Sequence, residues 1–133
     1  MADRAPPLHH VLDASALLCL LFDEAGAEKV EARLDLARIC AVNYQEVLVA
    51  LVDRGIKPEN AQTMLGQLDI EIVPMDRAQA NIAGALRPLT RASGLSLGDL
   101  CCLALAWTSR AVALTTDRAW ADLDIGIAIE VVQ

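Results

Sequence analysis

Apolar and polar positions change period several times along the chain, and each change marks an element. Residues 8–12 (LHHVL) run into Asp13 and predict a first strand. Residues 15–22 (SALLCLLF) follow, with Ser15 in capping position, and predict a buried helix. Over residues 25–36, Val30 and Leu34 share one face and Glu28, Glu31 and Asp35 the other, the pattern of an amphipathic helix. The apolar run 38–42 predicts a second strand. Asn43 is then placed to cap a helix over 44–54, with Gly55 where a glycine ends a helix. Pro58 suits the first turn of a helix over 58–68. Residues 70–73 (IEIV) predict a strand, and Asp76 caps a helix running towards Arg87, where Pro88 disturbs it. Ser96 caps an Ala- and Leu-rich helix over 96–109. A strand over 111–115, a short helix over 118–123 and a last strand over 127–132 complete the chain.

Helices separate most of the strands, which predicts an α/β fold: a central parallel β-sheet flanked by α-helices on both faces. Wholly apolar strands such as AVALT at 111–115 fit burial on both sides. A chain of 133 residues without linkers or repeats reads as a single domain over 1–133. Hydrophobic residues make up 55% and charged residues 22%, which excludes disorder and low-complexity architecture. The longest apolar stretch, 16–22, is far short of the ~20 residues that span a bilayer, so no membrane association is expected. Residues 1–10 lack the pattern of a signal peptide, and a cytoplasmic location is expected. The four cysteines, at 19, 40, 101 and 102, lie in or beside apolar runs without metal-ligand spacing and read as buried thiols of a reducing compartment. A net charge of −7 argues against binding polyanions by simple attraction, although nine of the eleven basic residues are arginines suited to local phosphate contacts.

Four acids interrupt apolar surroundings. Asp13 ends the first strand in VLDASAL, and Glu46 lies in AVNYQEVLVAL after the second strand. Asp99 lies in the first turn of SLGDLCCLALA, and Asp117 follows the strand in ALTTDRAW. Each has an ordinary explanation as a cap, a turn former or a first-turn acid. All four also map to strand ends or helix starts that can share one edge of the sheet, where ligands of such folds gather. Two carboxylates ~4 Å apart repel by ~4 kcal/mol at an effective dielectric near ~20. Converging acids therefore need raised pKa values or a divalent cation. An all-oxygen site suits Mg2+ or Mn2+, and such an ion supports phosphodiester hydrolysis.

The segments VLDASALLCLLFDEAGAEKV at 11–30, AVNYQEVLVALVDRG at 41–55, SLGDLCCLALA at 96–106 and LTTDRAWADL at 114–123 resemble, in order and spacing, those of PIN-domain ribonucleases, and more narrowly the VapC toxins of type II toxin–antitoxin pairs. The resemblance implies a PIN-like fold and an Mg2+- or Mn2+-dependent endoribonuclease that cleaves RNA to arrest growth. It implies Asp13, Glu46, Asp99 and Asp117 as the catalytic, metal-holding quartet, with Asp13 and Asp99 as direct ligands. Ser15, Asn43, Thr115 and Thr116 become supporting hydrogen-bonders, and Arg118 a weak candidate for RNA contact. A VapB-like antitoxin, a homodimer and a larger toxin–antitoxin complex are the implied partners. Two positions depart from the common pattern: Leu100 stands where Arg is frequent, and Thr116 where Ala is frequent.

Other residues carry plainer expectations. His9 and His10 read as surface or strand-edge residues, and Trp107 and Trp120 as core. Arg118 is placed to pair with Asp117, and Arg87, Arg91 and Arg110 are candidates to frame a substrate groove. The apolar faces of helices 16–22, 25–36 and 44–54 either fill the core or offer a groove to an antitoxin. An aspartyl phosphatase would want a second Asp where Ser15 stands and a supporting lysine, whereas Lys29 and Lys57 lie on expected surfaces. A catalytically inactive PIN-like module or a phospho-receiver is the non-enzymatic alternative, and the receiver lacks the same paired acid and lysine.

Overall fold

The computed structural model describes residues 9–133. Five strands form one sheet: β1 (His10–Leu12), β2 (Arg38–Cys40), β3 (Glu71–Val73), β4 (Val112–Thr115) and β5 (Ile129–Val131). Their order is β3-β2-β1-β4-β5, and every neighbouring pair is parallel. Six helices connect them: α1 (Ala14–Leu21), α2 (Ala27–Ala32), α3 (Ala41–Asp53), α4 (Pro58–Gly66), α5 (Arg77–Thr90) and α6 (Leu97–Ser109). Short 3-10 turns lie at Arg91–Ser93 and Arg118–Asp122. The expected α/β architecture, a parallel sheet covered on both faces, is the one observed.

Strand side chains alternate between the two faces. Val11, Cys40 and Ala113 join α5, α6 and Trp120 in one core layer. Leu12, Ile39 and Leu114 pack on the other face with residues of α1 to α4. The chain fills the β2 side of β1 first and then crosses to β4, so the topological switch point lies between β1 and β4. Open parallel sheets bind ligands beyond the strand carboxyl ends at such a point. Asp13 leaves β1 there, and Thr115, Thr116 and Asp117 leave β4.

Several boundaries differ from the sequence expectation for physical reasons. The first strand starts at His10, and the residue-8 start lies outside the described residues. Asp13, not Ser15, caps α1, because its carboxylate is the group facing the free amide of Ala16. The amphipathic stretch 25–36 is helical only over Ala27–Ala32, since Leu36 takes a left-handed φ of 60° to turn the chain into β2. Asn43 does not cap α3; the helix already begins at Ala41 and buries the Asn43 side chain. Pro88 does not end α5, which continues to Thr90. The hydrogen bond that Pro88 cannot donate belongs to the carbonyl of exposed Gly84, which water can reach. Trp120 is buried as expected, but Trp107 is 53% exposed, being on the outward face of the last turns of α6. His10 is buried inside β1 rather than at a surface, with its Nε2 3.7 Å from Glu130. All four cysteines are buried and unpaired. Among the described residues no helix is long and apolar enough to cross a membrane.

Candidate active site

Asp13 carries the most constrained carboxylate of the described residues. It is 4% exposed and sits where β1 turns into α1. Its Oδ1 accepts from the Ala16 amide at 2.8 Å and from the Ser15 hydroxyl at 2.7 Å. Its Oδ2 accepts from the Thr115 hydroxyl at 2.5 Å across the β1–β4 junction. No cationic side chain is among these partners. Burial therefore dominates and pushes the Asp13 carboxyl up to about 6, against the three hydrogen bonds and with help from the charge of Asp99.

The hydroxyls link this acid to the fourth one. Ser15 Oγ accepts from the Thr116 amide at 3.0 Å, and Thr115 Oγ1 accepts from the Asp117 amide at 3.1 Å. Both hydroxyls thus spend their proton towards Asp13 and their lone pairs on the backbone leading to Asp117. Asp117 itself is exposed and caps the following 3-10 turn through the Ala119 amide at 3.0 Å.

The remaining two acids meet at the start of α6. Ser96 and Asp99 form a capping box: the Asp99 amide donates to Ser96 Oγ at 3.1 Å, and the Ser96 amide donates to Asp99 Oδ2 at 2.9 Å. That leaves Asp99 Oδ1 without a role in the cap. Asn43 Nδ2 donates to Glu46 Oε1 at 2.8 Å and to the Gly98 carbonyl at 2.9 Å, tying Glu46 on α3 to the residue before Asp99. Asn43 Oδ1 is buried and has no hydrogen-bond partner among the described residues. The negative field of this edge reaches the thiols beneath it. Burial pushes Cys102 far above the ordinary thiol range, aided by Asp13 and Asp99, and pushes Cys101 up to about 11, aided by Cys40 and Glu46.

Capping therefore does not set these acids apart from the sheet edge. Asp13, Asp99 and Asp117 each cap a helix or turn, and each stands at the same edge of the sheet. Among the described residues, no three His, Cys, Asp or Glu side chains close into a ready metal cage. The arrangement is open, with one deeply buried carboxylate and more accessible acids around it. Oxygen donors of this hardness fit Mg2+ or Mn2+, and Mg2+ in particular keeps several waters and takes only one or two protein carboxylates.

The expected basic groups divide. Arg87 donates to the Leu95 carbonyl at 3.1 Å, beside the start of α6, whereas Arg110 follows the far end of that helix. They do not frame one groove. The expected Asp117–Arg118 pair is absent among the described residues; Arg118 Nε donates instead to Gln133 Oε1 at 2.5 Å, and Gln133 Nε2 donates to the Thr116 carbonyl at 2.9 Å. Gln133 escapes sequence reasoning, since nothing local in the sequence ties it to Thr116.

A parallel α/β domain with acids beyond the carboxyl ends of β1 and β4 defines a broad class of ligand-binding and hydrolytic folds. Within it the assignment is specific. The PIN domain family model matches residues 10–126, and the chain belongs to that family. No protein of curated function matches the sequence. Solved structures share the fold. A chain of VapBC2 from Rickettsia felis, bound to a fragment of its promoter DNA, aligns with a TM-score of 0.72 at 16% identity, covering 95% of this chain and 100% of that one. DNA-bound VapBC from Salmonella typhimurium gives 0.71 at 18% identity, covering 93% and 98%. VapBC-5 from Mycobacterium tuberculosis gives 0.59 at 23% identity, covering 96% and 99%.

Proposed function

We propose that the chain is a single PIN domain acting as a divalent-metal-dependent endoribonuclease, a VapC-type toxin held in check by a VapB-like antitoxin. The observation that carries this reading is Asp13: a carboxylate buried at the switch point, given hydrogen-bond donors but, among the described residues, no cation, with the charge of Asp99 raising its pKa. A buried carboxylate kept without a counter-charge calls for one from outside the chain. Asp13 and Asp99 would hold Mg2+ or Mn2+ directly, with Glu46 and Asp117 completing the site. Such an ion would supply charge neutralisation at an RNA phosphodiester and a water of lowered pKa.

The chain's own residues do the rest. Ser15 and Thr115 fix both Asp13 oxygens by donating to them, which sets the direction of its free lone pairs. Asn43 holds Glu46 against α6, and Ser96 fixes the rotamer of Asp99. Asp117, exposed at the rim beyond β4, would complete the site. Arg118, anchored through Nε to Gln133, keeps its terminal nitrogens for an RNA phosphate. The partner reading draws on the VapBC neighbours and on the resemblance; a homodimer and a larger complex with antitoxin, in the cytoplasm, complete it.

Purified protein should cleave RNA internally with Mn2+ or Mg2+ and stop on EDTA addition. Asp13→Asn and Asp99→Asn should abolish cleavage and relieve growth arrest while the fold persists. Full cleavage by either variant, or in excess EDTA, contradicts the proposal. The open acid arrangement also suits a catalytically inactive PIN-like binding module. A calorimetric titration showing no carboxylate-dependent Mg2+ or Mn2+ binding would favour that alternative.

A further inference from the structure

Three glycines lie within helices: Gly66 at the end of α4, Gly84 in α5 and Gly98 in the first turn of α6. None of the three has the positive φ that would demand glycine. Alanine is the better helix former at such positions, because it restricts the unfolded chain more and shields the helix backbone. At Gly66 and Gly84 a methyl group would meet nothing within 4 Å. At Gly98 it would lie 2.6 Å from both carboxylate oxygens of Glu46 and 2.8 Å from Glu46 Cδ. Gly98 is buried, and the nearest atoms to the space a side chain would take are those of Glu46.

The contact is matched by a polar clamp. Asn43 Nδ2 is shared between Glu46 Oε1 and the Gly98 carbonyl, so one amide holds the carboxylate and the backbone it rests on. Glu46 comes from α3 and Asp99 from α6, and the Glu46 carboxylate rests on Gly98, the residue before Asp99.

We propose that Gly98 is a positioning residue whose missing side chain forms the seat of the Glu46 carboxylate, fixing Glu46 beside Asp99 so that both can serve one divalent cation. This rests on the metal-site reading above. Gly98 touches neither ion nor substrate; it acts through Glu46. Because the crowded atoms are the tip of a flexible side chain, Gly98→Ala displaces Glu46 without disrupting the helix backbone. The variant should fold and lose the function of the seat.

The test is a calorimetric titration of the metal-free chain with Mn2+ alone, alongside thermal melts. Gly98→Ala should weaken Mn2+ binding roughly 10- to 100-fold, the usual effect of removing a ligand's support. Gly84→Ala should bind as the unmodified chain does. Glu46→Asp pulls the carboxylate back by one methylene. It should therefore weaken binding when made alone but restore binding when combined with Gly98→Ala. That reversal of sign between backgrounds is expected only if the two groups compete for one space. Equal affinity of Gly98→Ala and the unmodified chain overturns the proposal, provided Asp13→Asn loses Mn2+. Should Asp13→Asn bind as tightly as the unmodified chain, or should neither bind, the metal-site reading falls and this inference with it. Should Gly98→Ala fail to fold, the double variant decides: folding and Mn2+ binding by the double variant support the seat, and a double variant as defective as the single one overturns it.

Discussion

Asp13 and Glu130 are carboxylates of the same sheet, separated by β4, and they are treated in opposite ways. Glu130 on β5 receives both arms of Arg33, Nε to Oε1 and Nη2 to Oε2, each at 2.6 Å. That bidentate bond is the main cause holding its carboxyl below the usual range. Asp13 is more deeply buried and receives only hydroxyls and one amide, and its carboxyl rises to about 6. For Glu130 this chain supplies the cation itself. For Asp13, proposed to be functional, the charge is left for something else to balance.

The contrast can be broken most sharply at Asp13. Asp13→Asn should lower metal-dependent RNA cleavage by at least ~100-fold, measured as initial rates on a defined RNA. The same variant should stabilise the metal-free protein at neutral pH. A carboxyl raised from 3.8 to about 6 corresponds to a cost of about 3 kcal/mol for keeping it ionised in the folded state. A denaturant melt in EDTA that shows destabilisation of this variant would contradict the electrostatic account of the site.

Glu130→Gln should act in the other direction. It leaves Arg33 without its partner and should cost about 1 kcal/mol of stability, both side chains being 30% exposed. Cleavage should stay within about twofold, because Glu130 is outside the proposed site.

The pH dependence separates the two acids further. Asp13 has a raised folded pKa, so the folded state binds its proton first. Its stabilising effect is complete below 3.8 and is lost as pH rises through about 6. Glu130 has a lowered folded pKa, so its contribution is present above 4.5 and is lost as pH falls through its folded value. His10, lowered chiefly by burial, opposes Asp13 as pH falls below 6.5. The difference in melting free energy between the unmodified chain and Asp13→Asn, both in EDTA, removes the His10 contribution. That difference should shrink between about pH 6 and pH 4, and a flat difference would count against the Asp13 assignment.

The smallest expected change is at Gly84, exposed on α5 with open space where a methyl would go. Gly84→Ala should raise stability by about 0.5–1 kcal/mol, a melt-curve control for the functional loss expected at Gly98.

The pattern of the chain makes most of this fold legible, because period and punctuation are local properties. Ser96, Asp76, Pro58 and Gly55 mark the ends of their helices as the sequence predicts. What escapes depends on distant neighbours. The stretch from Arg33 to Ile39 turns from helix to strand because Arg33 must reach Glu130 and Leu36 must reverse its φ, and neither shows in an amphipathic repeat. Trp107 is exposed because the adjoining turns of α6 already fill the core with Leu103, Leu105 and Ala106. Asn43 resembles a cap because asparagine so often is one; its amide is needed instead by Glu46 and Gly98, a contact across 55 positions. The acids themselves stand out because each breaks an apolar run. The structure brings Asp13 near Asp99, joins Glu46 to the start of α6, and connects Asp117 through Thr115, while Arg87 and Arg110 end at opposite ends of α6. Arginine placement is illegible, as long side chains answer to partners rather than to sequence period.

The bond from Thr115 to Asp13 joins positions 102 apart. The polypeptide must therefore extend past residue 115, and β4 must have slotted beside β1, before Asp13 gains its second anchor. A chain still being translated up to α6 carries three of the four acids and no finished pocket. The setting of Asp13 is therefore finished only once β4 has been made, long after the β1 and α1 segments that carry Asp13 have left the ribosome.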